Sequence, residues 1–102
     1  MEMAEAVRVL SRHVNDPDGL LYKLARAEGL DHDGYRQLVQ ALRRIADDWK
    51  GRTEVPRDVV ALAYALDKAF ESFSYAYHGA EGDIVRSWAM EITSILIDMF
   101  EE

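Results

Sequence analysis

The chain has 102 residues, no cysteine, a formal net charge of −7 and 49% apolar side chains. This length fits one all-α domain over residues 1–102 with enough apolar material for a packed core, and the missing cysteines exclude disulfide frameworks, thiolate zinc sites and cysteine nucleophiles. Residues 51–102 carry four Lys/Arg against ten Asp/Glu, a balance of −6 that repels phosphate backbones and disfavours nucleic acid.

The first helix is predicted from Glu2 to Val14, with Met3, Val7, Leu10 and Val14 on one face. Asn15-Asp16-Pro17-Asp18-Gly19 breaks it, and Asp16 or Asp18 is expected to cap a short second helix from Gly19 to Glu28 that stops at Gly29. The third begins near Asp31 or Asp33 and ends at Lys50-Gly51. Its inward stripe is Tyr35, Leu38, Val39, Leu42, Ile45, Ala46 and Trp49, at i, i+3, i+4, i+7 spacing.

Thr53, Glu54 or Val55 leads into a fourth helix that starts at Pro56 and runs to about His78. Val59, Leu62, Ala63, Leu66, Phe70, Phe73 and Tyr77 form its core face. Gly79-Ala80-Glu81-Gly82 reads as a turn, and Asp83 as the cap of a fifth helix running to the C-terminus through Ile84, Val85, Trp88, Ala89, Ile92, Ile95, Leu96, Met99 and Phe100. The strand-like alternation of period two is missing over any useful length. A bundle of about five helices follows, three long and two shorter, with antiparallel neighbours across short loops. No apolar run approaches the roughly 18–20 residues of a membrane span. The acidic start, Met1-Glu2-Met3-Ala4-Glu5, is unlike a signal peptide, so a cytoplasmic location with no membrane partner is expected. Arginine outnumbers lysine nine to three, the usage of a GC-rich bacterial genome.

Two helices hold more apolar surface than one core face needs. Met90 and Ile97 fall outside the main stripe of the fifth helix, beyond Arg86 and Thr93. Val60, Tyr64 and Tyr75 lie roughly opposite the core stripe of the fourth. These five are the candidate interface, because aromatics and methionine are enriched in interface cores. The competing explanations are internal coverage by the first two helices and ordinary scattered exposure. A homodimer is the default form of such an interface, and a basic partner protein is the alternative.

Residues 20–44 invite comparison with a helix-turn-helix. Ala25, Gly29, Leu30, Tyr35 and Leu38 stand at suitable spacings, and Arg36, Arg43 and Arg44 are the candidate phosphate contacts. Glu28 at a packing position and the acidic Asp31-His32-Asp33-Gly34 start oppose DNA binding. Asp16-Pro17-Asp18-Gly19 and Asp31-His32-Asp33-Gly34 share a fragment with calcium loops. The twelfth positions are Ala25 and Gln40 rather than an acid, so helix capping explains them better. His13, His32 and His78 have no metal-ligand spacing, and His13 and His78 suit helix C-termini. Asp47-Asp48 point about 100° apart and do not converge. The serines lack a glycine elbow or a base, and no glycine-rich phosphate cradle appears. No catalytic, metal or cofactor site is expected, and the reading is a non-enzymatic interaction or regulatory module.

Overall fold

The computed structural model describes residues 1–50, 52 and 54–100. Gly51 and Thr53, expected at the end of the third helix and the approach to the fourth, lie outside the described residues. Within those residues the chain is all-α: α1 Met3–Asn15, α2 Leu20–Ala25, α3 His32–Trp49, α4 Arg57–Ala76 and α5 Gly79–Phe100. Three helices are long and two shorter, as expected, but the count of about five in the bundle is corrected. Four helices build the bundle, and α2 is a piece of 6 residues.

Helix α1 packs on α3, α3 on α5, α5 on α4 and α4 on α1, closing a ring, while α2 bridges α1 and α4. Consecutive α3 and α4 therefore stand diagonally, not as the antiparallel neighbours expected. The seven-residue connection 50–56 permits this. Extended, it reaches up to about 23 Å, more than the roughly 14 Å diagonal of helices packed about 10 Å apart.

The 3.6-residue periodicity decides what lies inside. Leu38, Leu42, Ile45 and Ala46 of α3 face Leu10 of α1, Leu66 and Phe70 of α4, and Val85 and Ile92 of α5 in one buried cluster. Each large aliphatic side chain so buried contributes about 1.5–3 kcal/mol relative to exposure. Tyr35 stacks on Trp88 with ring centroids 4.2 Å apart, fastening α3 to α5. Its hydroxyl donates to Glu91, which also accepts from Arg43 at 3.1 Å. Burial, then the Glu91 carboxylate, push the Tyr35 pKa far above the ordinary phenol value.

The helix ends depart from expectation in instructive ways. Asp31 caps α3 as anticipated, accepting from the Gly34 amide at 2.9 Å. Neither Asp16 nor Asp18 caps α2, whose N-cap is Gly19. His13 serves instead, its Nδ1 accepting from the Leu20 amide at 3.2 Å. That bond fixes the tautomer, so Nε2 carries the proton and donates to Gln37 Oε1 at 3.2 Å. His13 stands in the last turn of α1 as expected, but it is 1% exposed, a buried neutral ring. Gly19 makes the approach possible: a Cβ there would overlap the Arg12 carbonyl and lie 2.8 Å from His13 Cα.

At its other end α2 closes before Gly29. Glu28 N–H donates to Lys23 O at 3.1 Å and Ala27 N–H to Leu24 O at 3.2 Å, the paired bonds of a Schellman motif. Ala27, with φ 54°, takes the left-handed position that Gly29 was expected to hold. Helix α5 begins at Gly79, so the expected Gly79–Gly82 turn is its first turn and Asp83 lies inside it, paired with Arg86 at 2.7 Å.

Candidate functional site

The five residues set apart in the sequence come together on one face of the α4–α5 hairpin. Along α4, Val60, Tyr64, Asp67, Glu71 and Tyr75 follow one another at steps of three or four residues, which keeps them on one side of the helix. Arg86, Met90, Thr93, Ile97 and Phe100 do the same along α5, running the other way. Between the two rows runs a groove floored by Ala63, Phe70, Ala89, Ile92 and Leu96. It consists of two hollows of about 660 and 560 Å³ that share Asp67, Thr93 and Ile97.

Exposure separates the readings left open by the sequence. Val60 is 42% exposed, Ile97 49%, Tyr64 65%, Met90 73% and Tyr75 80%. Internal coverage by α1 and α2 is overturned, because α1 meets α4 on its other side and α2 bridges α1 and α4. Phe100, assigned to the core stripe, is corrected to a groove residue at 47% exposure. It sits three residues beyond Ile97, on the same face.

Polar groups in the groove are unequally engaged. Lys68, beside it on α4, pairs with Glu71 at 3.4 Å and stands 5.7 Å from the centre of the Tyr64 ring. Arg86 closes one end. Its guanidinium pairs with Asp83 and reaches the Ser74 and Tyr77 carbonyls at 3.5 and 3.4 Å, satisfying the C-terminal end of α4. Asp67 is half-buried at the junction of the two hollows, and among the described residues it has no ion-pair or hydrogen-bond partner. Sequence reasoning passed over Asp67, read Thr93 only as a separator and placed Phe100 with the core stripe. The available signal was their i+3 or i+4 continuity with Tyr64, Met90 and Ile97.

The alternative residues sit elsewhere and are already engaged. Arg36 pairs with Asp33, Arg43 with Glu91 at 3.1 Å, and Arg44 with Asp48 at 3.6 Å. Helix α2 packs chiefly on α1 and α4, whereas a helix-turn-helix locks its first helix against its second. The histidines are dispersed: His13 is buried, His32 meets the Trp88 ring edge-on at 5.4 Å, and His78 is exposed before α5. Among the described residues no group of three or more His, Asp or Glu could hold a metal ion. No helix in them is long and apolar enough to cross a membrane. Comparison with protein families, with curated proteins and with solved structures finds no match for this chain.

Proposed function

We propose that this chain is a protein-interaction module that seats a partner in the α4–α5 groove. One observation carries the reading: Val60, Tyr64, Tyr75, Met90 and Ile97 are exposed together along a single groove instead of scattered over the surface. Contiguous apolar surface rimmed by polar residues marks contact sites. Tyrosine and methionine supply contact area at modest entropic cost, as interface cores favour. The groove is made largely of apolar side chains with few polar groups among them, which supports its use as a binding surface.

Ile97 is the residue to test, because it lines both hollows and a third depression shared with Arg43 and Asp47 of α3. Ile97→Asp is expected to abolish assembly while leaving helicity intact, since half of the side chain already faces water. Light scattering reads self-association directly: a native mass of twice 11.6 kDa falling to 11.6 kDa in the variant assigns the groove to a second copy. A monomeric native chain that binds an added amphipathic helix, and loses it in the variant, assigns the groove to another protein. Unchanged mass together with unchanged helix binding in Ile97→Asp overturns the proposal.

A further inference from the structure

Resting on the reading of the groove as an interaction surface, we propose that its occupant is a basic amphipathic helix of another protein, not a second copy of this chain. The shape fits a helix. Two antiparallel rows of side chains flank a trough that a third helix can enter with its own ridge of residues at i, i+3, i+4 and i+7. From Val60 to Tyr75 the trough is about 22 Å long at 1.5 Å per residue, which matches about four turns of a ligand helix.

Charge selects the kind of helix. Residues 57–100 hold three Lys/Arg against seven Asp/Glu, a net −4 over the two helices that form the groove. Two of the three cations are spoken for, Lys68 by Glu71 and Arg86 by Asp83. Asp67 stands half-buried where the two hollows join, with apolar surface on either side and no cation of its own among the described residues. A partner that covers it with apolar surface alone leaves a desolvated, unpaired carboxylate, which opposes binding. A lysine or arginine at the centre of the partner's apolar stripe removes that cost.

The same residue disfavours a second copy. Asp67 lies at the middle of α4, so a two-fold axis that crosses the groove at its centre, at right angles to the helices, brings it against its own symmetry mate. Two such faces then meet with carboxylate against carboxylate at the junction of the two hollows.

Two synthetic helices of about sixteen residues test this. They share a leucine stripe on a neutral background and differ at one central position, lysine in one and glutamate in the other. Amide shifts of the full chain are followed by NMR during titration. The lysine helix is expected to move amides of α4 and α5 and to bind about tenfold more tightly than the glutamate helix. Asp67→Asn is expected to reduce that ratio to about twofold. Equal binding of the two helices, or shifts confined to other elements, overturns the inference. A native dimer that dissociates in Ile97→Asp and excludes both helices also overturns it, while leaving the interaction-surface reading standing. A native chain of 11.6 kDa that binds neither helix removes both.

Discussion

Met90 and Ile92 are two residues apart on α5 and about 200° apart around it, so they offer an internal comparison between groove and core. Met90 is 73% exposed and Ile92 1% exposed. Truncating Ile92 to alanine removes buried methyl groups and leaves a cavity, at a cost of about 2–5 kcal/mol. Truncating Met90 withdraws a side chain that is already mostly in water, and alanine's helix propensity offsets part of the small loss. Its effect should stay within about 0.5 kcal/mol. At about 4–8 °C per kcal/mol for a chain near this size, Ile92→Ala lowers Tm by roughly 8–40 °C and Met90→Ala by less than about 4 °C. Thermal melts followed by circular dichroism over a wide range of protein concentration measure both. If a second copy occupies the groove, the Met90→Ala loss grows with concentration, because assembly and folding are linked. A loss above about 1.5 kcal/mol from Met90→Ala in dilute, monomeric protein would refute the reasoning. That result means the side chain packs inside the monomer and the groove is not free.

Other expectations concern the corner between α1 and α2. Gly19→Ala places a methyl group against the α1 backbone, where nothing flexible can yield, and should cost about 3 kcal/mol in urea unfolding. A change under about 1 kcal/mol would show that the corner relaxes freely. Ala27→Gly relieves a left-handed alanine and should raise stability by about 0.5–1 kcal/mol in the same assay, with a loss counting against the Schellman assignment. Burial lowers the His13 pKa below its ordinary 6.5, against the opposing Gln37 hydrogen bond. The unfolded chain therefore takes up this proton first. The contribution to stability is whole above pH 6.5 and declines as pH falls below it. Urea curves between about pH 7 and 5 should show the decline, and His13→Asn should flatten it; equal slopes would exclude His13 as the source.

Much of the bundle was legible because apolar spacing is a direct image of burial. The α3 stripe of Tyr35, Leu38, Leu42, Ile45 and Ala46 is buried as its periodicity requires. The second stripes on α4 and α5 were visible on a helical wheel. Whether anything covered them was not, because that depends on the ring order of the helices, and the diagonal placement of α3 and α4 leaves no trace in local sequence. His13 is a different kind of miss. It stands three residues after Leu10 and seven after Ala6, so the buried face was written in its spacing, but the preference of histidine for helix C-termini drew the assignment outward. At Ala27 the general preference for glycine in the left-handed region pointed two residues too far, since the hydrogen bonds that end α2 are set by where its first turn locks onto His13. Asp67 was overlooked because a lone carboxylate on an amphipathic helix is ordinarily a solvated one. Only the meeting of two hollows around it gives it a role.

The stacking of Tyr35 on Trp88 has a practical consequence for anyone following this protein by light. Both tryptophans, Trp49 and Trp88, stay out of the α4–α5 groove, and Trp88 is held face to face with a phenol at 4.2 Å on the α3 side of α5. Emission from Trp88 is thus a gauge of the α3–α5 seam and will change when the bundle opens. The chromophores at the groove are Tyr64 and Tyr75, so a ligand helix that carries its own tryptophan there becomes the brighter reporter. Filling of the groove and loosening of the seam can then be watched as two separate optical signals.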